Sequence, residues 1–271
     1  MMRALWTAAS GMATQQTNVD NISNNLANVN TTAFKKSTIE FKSLLYQNLQ
    51  STSTNNAGET KPVAAQVGSG SRVASTSSIY SQGTLQPSED CFAMAISGQG
   101  FFKVQDTDGT IKYTRNGNFS VSIVPGGTML CSGDGSPVLD VNNKKIVIPA
   151  NCSATTMSVD EAGNIYATND AGKIVDLGIK MGIVQFNNPA GLEQLGGTMV
   201  KATPASGEPV AENGNASLNP SKVRQYYTEA SNVDVADEMV NLIVAQRAYE
   251  MNSKAIKAAD EMLQQANNLR G

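Results

Sequence analysis

The sequence predicts an α+β chain: N- and C-terminal helices packed as a coiled-coil-like pair, with a central all-β domain of many short strands. Three observations carry this. Neither Gly nor Pro occurs from Met12 to Ala57 or from Ser221 to Arg270, whereas both recur throughout the middle. Each Gly- and Pro-free end carries apolar residues at intervals of seven. The middle shows short apolar or alternating runs separated by turn residues.

At the N-terminus the row is Leu5, Met12, Val19, Leu26 and Ala33, with Ile22 and Val29 three residues after Val19 and Leu26. Such a stripe is a seam for another helix, narrower than the face of a helix lying on a large core. Gln15 and Gln16 interrupt it. The helix is expected to end near Asn28–Thr32, where Asn and Thr side chains compete for backbone hydrogen bonds. At the C-terminus the row is Val235, Leu242, Tyr249, Ile256 and Leu263, flanked by Ala245, Ala259 and Ala266, which let a neighbouring helix approach. Ser231-Asn232-Val233-Asp234 supplies a start signal, and Asp237 and Glu238 suit the positive dipole end. At 1.5 Å per residue this helix is roughly 50 Å long. Trp6, Met239, Ile243 and Met262 lie off the main rows, so a lone pair of helices would leave them wet; helices of other chains are the natural cover.

Residues 50–60 are polar and of low complexity, which predicts a flexible or extended connector. Strands are expected at Phe92–Ile96, Gly100–Val104, Ile111–Arg115, Phe119–Val124, Lys145–Ile148, Thr156–Val159, Asn164–Ala167 and Ile179–Phe186. Turns fall at Asp106–Thr110 and Asn116-Gly117. The expected organisation is a helical polymerisation domain of residues 1–32 and 231–271, an extended connector region over 33–80, and a β domain over 81–230.

Composition closes off several function classes. The 271 residues contain no His, which removes the commonest general base and metal ligand, and with them most catalytic triads. Cys91, Cys131 and Cys152 are odd in number and lack metal-ligand spacing, so small buried side chains in a β domain are expected, with a single disulfide and one free thiol as the alternative. A formal charge of -3 and a pI near 5.1 give no electrostatic reason to expect nucleic acid or an anionic membrane. No segment approaches the roughly 18 apolar residues of a membrane span. Thr7, Ser10 and Gly11 dilute the only stretch resembling a signal peptide, so no cleaved signal is expected. Asp106-x-Asp108-Gly109 lacks the remaining ligands of a calcium loop and reads as a hairpin turn. No carboxylate pair, such as Asp134 with Asp140, stands out for glycosidase chemistry, and no cofactor is implied.

The informative motifs sit at the two ends. Asn24-Asn25-Leu26-Ala27-Asn28-Val29, continuing to Lys36, resembles the signature of the flagellar rod and hook family. So does the run from Glu229 to Ile243, continuing through Gln246-Arg247-Ala248-Tyr249-Glu250 to Ile256; this last part looks most like the distal-rod members. Gly98–Val104 and Tyr113–Phe119 are similar to the family's β domain. The family usually has Gly where this chain has Ala33; a left-handed backbone there would cost Ala about 1 kcal/mol. The resemblance implies a non-enzymatic distal-rod subunit polymerising into a hollow helical tube that crosses the periplasm and transmits motor torque to the hook. The helices would form the inner layer and the β domain the outer. Implied partners are further copies of the chain, other rod and hook subunits, ring proteins of periplasm and outer membrane, and the flagellar type III export apparatus. Expected assembly residues are Leu5, Met12, Val19, Ile22, Leu26, Val29, Val235, Met239, Leu242, Tyr249, Ile256 and Leu263. Leu242→Asp is expected to leave the β domain folded and abolish polymerisation. The alternatives are a proximal-rod or hook paralogue and, from another class, a β protein that binds or hydrolyses cell-wall glycan.

Overall fold

The computed structural model describes residues 2–50, 65–152, 156–169, 173–213 and 218–268. It resolves into two compact units, each discontinuous in sequence. A helical unit comprises residues 1–27, 37–77 and 234–271, and a β unit comprises 28–36 and 78–233. These boundaries differ from the expected ones. Residues 37–77 join the helices, while 28–36 and 231–233 join the β unit. The expected connector at 50–60 lies almost wholly outside the described residues.

In the helical unit, α1 (Met2–Ala27) packs against α2 (Val235–Asn268). The first helix stops where expected, just before Asn28. The second begins where Asp234 Oδ1 accepts the Ala236 amide at 2.9 Å, and it carries Asp237 and Glu238 in its first turn. Two antiparallel ribbons complete the unit. Ser37–Ser43 pairs with Ser71–Ser78, and Tyr46–Gln50 pairs with Ala65–Gly68.

The β unit is built on a six-stranded antiparallel sheet. Its order is Glu193–Leu195, Met199–Lys201, Ile111–Thr114, Phe101–Gln105, Ile183–Gln185, Val210–Ala211. Adjacent residues of a strand face opposite ways, so Phe101 and Phe102 enter different cores. Phe102 and Val104 join Met94, Phe119, Leu130, Ile146, Ile148 and Ile165 in the larger core. Phe101 joins Tyr113, Val184, Phe186, Leu192 and Val200 in the smaller one. Edge-to-face contacts mark both, with Phe102 and Phe119 centroids 5.1 Å apart and Tyr113 and Phe186 5.0 Å apart. Two three-stranded sheets, Val147–Pro149/Gly127–Ser132/Phe119–Val124 and Ser158–Val159/Asn164–Thr168/Ile174–Lys180, add further layers.

One expected strand is two. The run Ile179–Phe186 breaks at Met181-Gly182, leaving Ile174–Lys180 in one sheet and Ile183–Gln185 in another. Another chain segment crosses there: a Cβ on Gly182 would lie 2.5 Å from the Asp140 carbonyl oxygen. The expected turn at Asp106 is present, closed by the Gly109 amide on the Asp106 carbonyl at 3.0 Å. Asp106 also pairs with Lys112, whose hydrogen bond holds the carboxyl below its usual range. The three cysteines are free thiols, Cys131 buried and the others half-buried.

Candidate assembly surface

α1 and α2 meet in a seam, and the side chains buried on the two helices are small or polar, apart from Ile22. On α2 the buried positions are Glu238, Ala245 and Ala259, and half-buried Asn252 fills the step between the alanines. On α1 they are Ala8, Thr14, Ile22 and Asn25. Contact is close enough that a Cβ on Gly11 would meet the Asn252 side-chain nitrogen at 2.8 Å. Asn25 is the polar pin of this seam. Its Nδ2 donates to the Ser37 carbonyl at 2.9 Å and to Glu238 Oε2 at 3.3 Å, while its Oδ1 accepts the Ser37 amide at 3.0 Å. A buried amide with both ends satisfied fixes the register of a helix contact at little net cost. The Asn-Asn of the N-terminal motif thus has a physical task at its second member.

The twelve expected assembly residues do not all lie in this seam. Ile22 is buried; Leu5, Met12, Val19, Leu26, Val29, Leu242, Ile256 and Leu263 are half-buried. Val235, Met239 and Tyr249 are exposed, Met239 by half its surface. On α2 the most covered seven-residue row runs through Glu238, Ala245, half-buried Asn252 and Ala259, beside the apolar row.

Larger apolar side chains face outward. From Met239 to Ala245 the only polar residue is Asn241, so over these two turns α2 is apolar around nearly its whole circumference. A helix of that kind is a buried helix. Yet Met239, Val240, Ile243 and Val244 are all at least half exposed in the single chain. Met2 and Trp6 on α1 are exposed by more than seven-tenths. The ribbons add Phe41, Leu45, Tyr46 and Leu49, Leu45 being 88% exposed. The expected organisation puts these four in a connector; among them only Phe41, in the alternating run Thr38–Lys42, carries a strand signal, because Leu44-Leu45-Tyr46 are consecutive apolar residues. A groove of about 400 Å³ in the helical unit is lined by Gln16, Val19, Gln246, Tyr249 and Glu250, four of them polar or aromatic groups able to hydrogen-bond. Among the described residues no cluster of His, Cys, Asp and Glu could hold a metal ion, and no helix is long and apolar enough to cross a membrane.

Comparison with known proteins converges on one family. A flagella basal body rod protein model matches residues 5–35, a flagellar hook protein FlgE/F/G D1 domain model matches 95–167, and a flagellar basal body rod FlgEFG protein C-terminal model matches 224–269. The chain is 43% identical to the flagellar basal-body rod protein FlgG of Borreliella burgdorferi, covering all of this chain and 99% of that protein. It is 37% identical to FlgG of Bacillus subtilis over the full length of both. To the flagellar hook-basal body complex protein FlhP of Bacillus subtilis it is 28% identical, again over full length.

Proposed function

The chain belongs to the flagellar basal-body rod protein family and is a structural rod subunit, not an enzyme, and from that premise we propose that it polymerises through its terminal helices into the distal rod. The observation that carries the mechanism is the apolar circumference of α2 over Met239–Ala245, left uncovered by the chain itself. Covering it takes at least one more helix on the side away from α1; the described residues of the chain hold no third α-helix, and other copies supply one. The two helices then act as a coiled-coil-like pair with faces for neighbours. Leu5, Met12, Val19, Leu26, Leu242, Ile256 and Leu263 flank the seam, Val235, Met239 and Tyr249 face outward, and Val29 lies past the end of α1, in the β unit. Repeated head to tail without closing, such a contact builds a filament.

In this reading the helices form the inner layer of a hollow tube crossing the periplasm, and the β unit forms the outer layer. The subunit is exported without a cleaved signal through the flagellar type III apparatus, joins other rod and hook subunits, and passes torque to the hook. Periplasmic and outer-membrane ring proteins are its outer partners. The higher identity to FlgG chains than to FlhP favours the distal-rod role over a paralogous one.

Electron microscopy of the purified chain tests this. Straight hollow rods are expected from the wild type and none from Leu242→Asp or Ile243→Asp, with the β unit folded in both variants. Rods from Ile243→Asp, whose side chain is clear of the α1 seam, would remove the helical mechanism.

A further inference from the structure

The chain passes between its two units at 27/28, 36/37, 77/78 and 233/234. The β unit is therefore entered and left through residues 28–36, the stretch starting at Ser78 and the stretch ending at Val233. One buried cluster fastens all three. The Glu229 side chain is fully buried, and its Oε1 accepts from Lys35 Nζ at 2.5 Å, the Gly83 amide at 2.8 Å and an Arg115 guanidinium nitrogen at 3.5 Å. Lys35 Nζ also donates to the Ser81 carbonyl at 2.7 Å. The Glu229 carbonyl accepts the Ala33 amide at 2.7 Å, and the Ala230 amide donates to the Thr84 carbonyl at 2.9 Å. Nearby, Asn232 accepts the Lys36 amide at 2.7 Å and donates to the Ile79 carbonyl at 2.8 Å.

Arg115 ties this knot to the main sheet. Its Nε donates to the Gly100 carbonyl at 3.1 Å, another nitrogen donates to the Gly98 carbonyl, and the guanidinium sits over the Phe101 ring at 5.3 Å. Net stability is a poor explanation for such a group. Buried ion clusters roughly break even against apolar side chains of the same volume. Here Glu229 Oε2 has no hydrogen-bond partner among the described residues, which makes the balance worse. What the cluster supplies is position: one carboxylate holds segments 146 and 194 residues away in sequence.

We propose that Glu229 is a positioning residue for assembly, binding the three crossing segments to the six-stranded sheet so that force entering the β unit is taken by the sheet and does not peel the segments off singly. The force-bearing part rests on the rod reading above; the fastening itself does not. Amide hydrogen exchange on the full-length chain tests the fastening, using Glu229→Gln and the double variant Lys35→Met with Glu229→Met. The double variant removes both charges of the Lys35 pair at similar volume and leaves Arg115 its bonds to the Gly98 and Gly100 carbonyls, which makes it the second measurement if Glu229→Gln does not fold. At Ala33, Gly83 and Ala230 exchange should quicken about tenfold or more, with Phe102, Val138 and Ile146 unchanged. Unchanged exchange at the first three, or the same acceleration everywhere, would overturn the proposal. Sheared tubes then test the load: double-variant tubes should break to shorter lengths than wild-type ones, and equal lengths would refute force-bearing. Failure of the wild type to form tubes would count against the rod reading, while exchange still decides the fastening.

Discussion

The two units bury different things. In the β unit Phe101, Phe102, Phe119, Leu130, Ile146 and Ile165 are almost entirely hidden. In the helical unit the most hidden residues include Ala245, Ala259, Asn25 and Glu238, while Trp6, Met239, Ile243 and Val244 stand in solvent. Each buried Phe or Leu contributes about 1.5–3 kcal/mol, whereas an alanine adds little beyond a methyl, about 0.8 kcal/mol. The β unit therefore closes on its own core. The helical unit has a seam that sets register and leaves its large apolar residues for neighbours, which suits a part that orders when a polymer forms.

The sharpest way to break this contrast is to charge the outward face. Ile243→Asp buries an unpaired carboxylate at every contact, a penalty of about 3–5 kcal/mol, so the critical concentration for polymerisation should rise at least a hundredfold. Sedimentation of polymer against monomer concentration checks it, with the monomer's circular dichroism unchanged. Next comes the closed core. Phe102→Ala should cost the β unit about 3–5 kcal/mol in denaturant melts followed by near-UV signals, and leave helix content intact. A shared loss of helix and β signals would mean the two units do not fold separately.

A smaller effect is expected at the seam. Ala245→Leu puts three more carbons where α1 packs, and overpacking of this sort costs about 1–3 kcal/mol. Far-UV melting should move down while the β unit's near-UV transition stays put; an unmoved helix melt would show that the helices are not held at this position. Smallest is Ala33→Gly. Ala33 does adopt φ 58°, held by its amide on the Glu229 carbonyl. Glycine relieves a left-handed strain of about 1 kcal/mol but gives up a buried methyl and frees the unfolded chain, terms of similar size. A change below about 0.5 kcal/mol is expected, and chemical denaturation can bound it.

Much of the architecture was legible. Absence of Gly and Pro with a repeat of seven marked both helices, and α1 ends at Ala27, beside the expected Asn28. Alternation and Asn-Gly or Asp-Gly turns marked the strands from Met94 to Val124. The pieces that escaped are short and polar and exist only through distant partners. Lys222–Gln225 is a strand because Met94–Ser97 lies beside it, and Ser37–Ser43 because Ser71–Ser78 returns along it. The candidate surface was half legible. The seven-residue repeat gave two parallel rows on α2, and periodicity cannot say which meets α1 and which meets a stranger.

By itself, then, the sequence determined element types, the turn-rich middle, the absence of histidine chemistry and the family, because each is written in local spacing or in motifs read directly. Tertiary structure decided that alanines and asparagines take the seam while Met239, Ile243 and Val244 face out, and that Lys35, Arg115 and Glu229 meet in one knot. The reason is distance along the chain. Local propensity acts over a few residues, whereas close helix approach and a buried ion cluster depend on groups that only folding brings together.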